Sequence, residues 1–143
     1  MDTKTILLIE DNLSDIELTR RAFKKGRITN KLVVAKDGQE ALDYLFGTCT
    51  AELLPLPTLV MLDLKLPKIE GLEVLRSIRA NDRTRRLPVV ILTSSTEEQD
   101  LVKCYDLGAN SYIRKPVDFN QFAEAIQQLG LYWLVLNKPV PTG

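Results

Sequence analysis

A chain of 143 residues, 45% hydrophobic and 27% charged, supports one domain with one ordinary core and leaves little room for a second. Its formal charge is zero, and no apolar stretch approaches the roughly 20 residues that span a bilayer, so neither nucleic acid nor membrane is favoured as a partner. Histidine is absent, which removes Ser-His-Asp and Cys-His catalysis and most transition-metal sites, leaving carboxylates, hydroxyls, lysine and a hard metal ion to carry any chemistry.

In chain order, short apolar runs alternate with amphipathic stretches, the pattern of a doubly wound α/β domain. Strands are predicted at 5–9 (TILLI), 31–35 (KLVVA), 58–62 (TLVML), 88–92 (PVVIL) and 111–113. Helices are predicted at 12–25, with Leu13, Ile16 and Phe23 on one face, and at 38–46, 71–79 and 97–107. A last helix starts at an Asp118 N-cap and extends towards Leu136. Parallel strands with right-handed helical crossovers are the arrangement such a pattern implies. The connection 47–57, with Pro55 and Pro57, is longer than most and reads as a surface excursion. Cys49 and Cys104 have no metal-type or redox spacing and read as ordinary cytosolic thiols. The opening MDTKTILLIED does not resemble a cleaved signal peptide, so the cytoplasm is the expected compartment.

In an open parallel sheet, function gathers beyond the carboxyl ends of the strands. There the sequence places Glu10 and Asp11, Asp63, Thr93 and Lys115. Three carboxylates in one cleft repel each other and need cations to stay ionised; Lys115 supplies one and a divalent ion the rest. Mg²⁺ suits a site with few carboxylates, because it keeps several waters and takes phosphate oxygens. A carboxylate can attack a phosphodonor to give an acyl phosphate, with metal, lysine and the Thr93 hydroxyl stabilising the phosphoryl oxygens. The small Ser94 leaves room for that group.

The segments LLIEDN, VMLDLKLP, VVILTSS and YIRKPV resemble, in order and spacing, the motifs of two-component receiver domains. The resemblance covers roughly residues 4–128, within a single domain expected to occupy 1–143, with a C-terminal helix and tail over 118–143. It implies a flavodoxin-like five-stranded parallel sheet of order 2-1-3-4-5. It also implies a response regulator in a phosphorelay that takes a phosphoryl group from the phosphohistidine of a sensor histidine kinase and is not otherwise an enzyme. Carried over by resemblance, Asp63 is the phosphoacceptor and Asp11 a direct Mg²⁺ ligand. Glu10 contacts the metal through water, the Lys65 carbonyl completes the protein ligands, and Lys115 pairs with Asp63 and then with the phosphoryl oxygens. Thr93 and Tyr112 match a switch pair, in which Tyr112 turns into the space Thr93 leaves. The Lys115–Pro116 bond resembles the family's cis peptide. Lys65 and Ser95 flank the path of an attacking water, and neither activates water strongly, so slow loss of phosphate is expected.

Only 27 residues follow Pro116, too few for an output domain, so output is expected through protein contacts. The segment 129–136 (LGLYWLVL) is apolar all round and suits either a partner surface or a cover for the domain's own core. With the long 47–57 loop, it resembles the small response regulators that serve bacteriophytochrome-type kinases, which implies a homodimer through the face of the fourth and fifth helices. Basic clusters at Arg20, Arg21, Lys24, Lys25 and Arg27, and at Arg76, Arg79, Arg83, Arg85 and Arg86, read as solvated faces. In relatives the first helix meets the kinase, which makes Ile16 and Arg20 contact candidates.

Other functions fit less well. An aspartyl-nucleophile phosphatase needs a second aspartate two residues after the first, where Lys65 stands. A flavin or dinucleotide carrier needs a Gly- or Ser-rich loop after the first strand, where Glu10 and Asp11 stand. A pseudo-receiver, an interaction module of the same fold that is never phosphorylated, remains the alternative.

Overall fold

Alternation along the strands sorts the core into two layers. Leu7 and Ile9, Val60 and Leu62, and Val89 and Ile91 face one side of the sheet, while Ile6 and Leu8, Leu59 and Met61, and Val90 and Leu92 face the other. Both faces are apolar, as a sheet covered by helices on both sides requires. The computed structural model describes residues 5–28, 30–47, 56–94, 97–115 and 118–130. Residues 48–55 of the long loop, Ser95, the Lys115–Pro116 bond and the apolar tail side chains from 129 onwards lie outside the described residues.

The elements are β1 (Thr5–Ile9), α1 (Leu13–Lys25), β2 (Lys31–Ala35), α2 (Gly38–Phe46), β3 (Leu59–Leu62), α3 (Gly71–Ala80), β4 (Val89–Thr93), α4 (Glu98–Asp106), β5 (Ser111–Arg114) and α5 (Phe119–Gly130). All strand pairs are parallel and the order is β2-β1-β3-β4-β5. The doubly wound fold read from the sequence is therefore the fold observed. Ala41, Leu45, Val74, Leu75, Ile78 and Cys104 bring α2, α3 and α4 onto one face. Ile16, Ala22, Phe23, Phe122, Ala123 and Ile126 bring α1 and α5 onto the other.

Helix starts follow local chemistry. Asn12 caps α1 by accepting from the Asp15 N–H at 3.0 Å, and Asp37 caps α2 by accepting from the Glu40 N–H at 2.8 Å. Asp118 accepts from the Gln121 N–H at 3.1 Å, the cap expected for the last helix.

Two expectations about surface residues are corrected. Leu13 has the helical spacing of a core residue, yet it is 66% exposed, in the first turn of α1. Ile16 is buried and unavailable as a kinase contact. The basic clusters also do more than face solvent. The Arg79 guanidinium donates to the carbonyls of Arg85 at 3.0 Å, Leu87 at 2.8 Å and Gly108 at 2.6 Å, and to Asn110 Oδ1 at 3.2 Å. Arg83 donates to the Leu45 carbonyl at 2.6 Å, satisfying an acceptor at the C-terminal end of α2. Arg21 and Lys25 lie 5.1 and 5.3 Å from the Phe119 ring centre, joining α1 to the start of α5.

Candidate functional site

The parallel register brings the ends of β1, β3, β4 and β5 to one edge. Ile9 pairs with Leu62, and Thr93 with Arg114, so the residues that follow these strands cluster. Glu10, Asp11 and Asp63 each offer a carboxylate oxygen, all within 4.8 Å of one another. Hard oxygens at that separation fit a divalent cation such as Mg²⁺ or Mn²⁺.

Lys115 is the hub of this cluster. Its Nζ donates to Glu10 Oε1, to Asp15 Oδ2 at 2.8 Å and to Asp63 Oδ2 at 3.4 Å. Its backbone N–H donates to the Thr93 carbonyl at 2.7 Å, which fixes the start of the chain beyond β5 against β4. Asp63 is nearly buried, and its second oxygen accepts from the Lys65 N–H at 3.2 Å. Glu10 is 1% exposed and also accepts from the Asn12 N–H, at 3.3 Å. Asp11 is exposed.

The electrostatics differ in emphasis from the sequence argument, which rested on repulsion among carboxylates. The Glu10 carboxyl is pushed up to about 7, and burial is the largest cause; Lys115 opposes the rise, and the neighbouring Asp63 adds to it. Lys115 is raised as well: burial works against its charge, but hydrogen bonds to Asp15 and Glu10 more than offset that cost.

Thr93 is fully buried, and alternation puts its side chain on the same sheet face as Ile91. Tyr112, paired with Ile91, packs against the core on that face, and its hydroxyl has no hydrogen-bond partner among the described residues. The two residues proposed as a switch thus share one face.

The strand-end pattern missed Asp15. It lies in the first turn of α1, where an acidic residue is ordinarily read as a favourable charge near the helix N-terminus. No local spacing singled it out, because its partner Lys115 lies 100 positions further along the chain.

The β3–α3 loop is clasped between two glycines. A Cβ on Gly71 would lie 2.3 Å from the Asp63 carbonyl oxygen, and one on Gly38 would lie 2.3 Å from the Ile69 carbonyl oxygen. Lys68, in this loop, has φ of 67° and reaches Asp37 at 3.4 Å.

A wound parallel sheet with this edge cluster defines a receiver. The profile of the response regulator receiver domain matches residues 6–127, and the chain belongs to that family. It is 37% identical over 131 residues to the response regulator Rcp1 of Synechocystis sp., covering 92% of this chain and 89% of that one. A crystal structure of the Mn²⁺-bound form of Rcp1 superposes with a TM-score of 0.83, at 34% identity over 96% of this chain and 99% of that one. The bacteriophytochrome response regulator AtBRR is 52% identical, with a TM-score of 0.76 over 96% of this chain and all of that one. The probable methanogenesis regulatory protein FilR2 of Methanothrix harundinacea is 40% identical over 137 residues, 96% of this chain and 88% of that protein. Among the described residues, no helix is long and apolar enough to cross a membrane.

Proposed function

We propose that the chain is an Mg²⁺-dependent phosphoacceptor switch in which Asp63 takes a phosphoryl group from the phosphohistidine of a sensor histidine kinase. The observation that carries this reading is the convergence of Glu10, Asp11 and Asp63 at the strand ends, with Lys115 paired to Glu10 and Asp63. An Asp63 oxygen attacks phosphorus, the P–N bond to the donor imidazole breaks, and an acyl phosphate forms. Lys115 follows the negative charge onto the phosphoryl oxygens, and the Thr93 hydroxyl donates to one of them. Glu10, Asp11, Asp63 and the Lys65 carbonyl would hold the ion. When bound, it neutralises charge on the phosphoryl oxygens and lowers the repulsion between donor and carboxylates. Buried Thr93 must shift to make its contact, which supports a coupled rearrangement with Tyr112 on the same face. The chain catalyses only its own phosphorylation and dephosphorylation.

A phytochrome-type kinase is the partner suggested by the likeness to AtBRR. The exposed Val102 and Tyr105 of α4, at 55% and 50%, support a homodimer through the α4–α5 face. The cytoplasm is the compartment in which such a relay operates.

Intact mass after incubation with Mg²⁺ and a small acyl phosphate tests the reading. Wild type should gain one phosphoryl group, and Asp63→Asn or excess EDTA should abolish the gain. No gain in wild type with several donors would leave the pseudo-receiver as the function.

The exposed Leu13, next to the acidic cluster, is the apolar anchor we expect the kinase to cover. Leu13→Asp should slow transfer from the kinase about tenfold or more, as loss of a contact anchor does. Its phosphorylation by the small donor should match wild type; equal kinase transfer by both proteins would remove Leu13 from the interface.

A further inference from the structure

Lys115 has a partner outside the strand-end set. Its Nζ lies 2.8 Å from Asp15 Oδ2, closer than the 3.4 Å to Asp63 Oδ2. Asp15 is the third residue of α1, a position from which a carboxylate commonly folds back to accept the N–H of the capping residue. Here the Asn12 N–H donates to Glu10 Oε2 instead. The Asp15 side chain is thereby released from capping and spans to the ammonium beyond β5. Side-chain exposures of 29% for Asp15 and 11% for Lys115 make this a sheltered pair, stronger than an ion pair in open solvent.

We propose that Asp15 is a positioning residue that holds Lys115 in reserve while Asp63 is unphosphorylated and releases it when the phosphoryl group arrives. The inference rests on the reading of Asp63 as phosphoacceptor. An interaction present before reaction and lost in the transition state raises the barrier. One ammonium cannot serve Asp15 and the phosphoryl oxygens at full strength together, and a phosphoryl group carries up to about −2 of charge. Asp15 also adds negative charge facing an anionic donor. Both effects make Asp15 a brake on phosphorylation. Once Asp63 is phosphorylated, Lys115 has already left, so Asp15 has little leverage on the stability of the acyl phosphate. Its release also unties the first turn of α1, which carries Leu13, from the chain after β5.

The test measures two quantities on Asp15→Asn, Asp15→Glu and wild type. These are the initial rate of phosphorylation by a small acyl phosphate at saturating Mg²⁺, and the phosphoryl lifetime after the donor is removed. Asp15→Asn should be phosphorylated about three- to tenfold faster than wild type, with Asp15→Glu near wild type and all lifetimes within about twofold. Thermal unfolding checks that each variant is folded, and Asp15→Ser supplies a second removal of the carboxylate. A purely structural role would lower the unfolding midpoint without accelerating phosphorylation, which overturns the proposal. So does a rate equal to or below wild type, or a lifetime that shifts as much as the rate. If wild type itself gains no phosphoryl group, the function proposed for Asp63 falls and this inference with it. If wild type is phosphorylated and Asp15→Asn merely matches it, this inference alone falls.

Discussion

In EDTA, wild type should lose roughly 3 kcal/mol of unfolding free energy relative to Glu10→Gln as pH rises from about 4.5 to above 7. The Glu10 carboxyl titrates near 7 in the fold against an ordinary 4.5, with burial the first cause. A raised value means the folded chain keeps a proton that the unfolded chain releases. The stabilisation is therefore complete below about 4.5, declines through the interval and is gone above about 7. The amide introduced by Glu10→Gln carries no titrating proton, so the unfolding free energy of that variant lacks this component. Saturating Mg²⁺ favours the ionised carboxylate and should flatten the wild-type curve. Urea unfolding at pH 5, 6, 7 and 8, with and without EDTA, gives the comparison. Parallel curves for the two proteins in EDTA would show that Glu10 does not carry the proton.

The second large effect should come from Gly71→Ala. The added carbon would lie 2.3 Å from the Asp63 carbonyl oxygen and 2.6 Å from Leu64 Cα, both backbone atoms that cannot swing aside as a side chain does. Either α3 retreats from the sheet or the segment carrying Asp63 moves. Overpacking of this kind costs about 1–3 kcal/mol, more than alanine recovers through its better helix propensity. The displacement falls on the backbone of Asp63, the residue proposed as phosphoacceptor, and a shift of about 1 Å at a reacting group can slow a reaction by about 100-fold. The expected result is a lower urea midpoint together with phosphorylation tens of times slower in the folded protein. Wild-type values for both would mean that the loop has slack at this point.

The sheet and its strand-end cluster were legible because they depend on local pattern. Continuous runs such as TILLI and PVVIL mark buried parallel strands, and the carboxyl-end rule then selects Glu10, Asp11, Asp63, Thr93 and Lys115. The small boundary shifts, with Thr58 and Pro88 just outside β3 and β4, arise because both contribute backbone bonds at the strand starts without lying in the ladder. Other features depend on atoms that a sequence does not display. Arg79 and Arg83 bind backbone carbonyls, which every residue has, so nothing in the letters separates them from Arg86. Leu13 obeys the helical period but is the first residue of its helix, and it is exposed. Asp15 is visible only once Lys115 is placed across from it.

The Arg79 clamp has a consequence for motion. It lies at the edge of the sheet away from the acidic cluster and pins Gly108, immediately past α4, to α3 and to the 85–87 segment. Cys104 is the only fully buried side chain of α4 among the described residues, so the helix is shallowly seated along its length and fastened at its far end. Such a helix behaves as a lever on a pivot. A push at the strand-end edge would swing the near end of its roughly 13 Å length furthest and fade towards the pin, so Val102 would travel further than Tyr105.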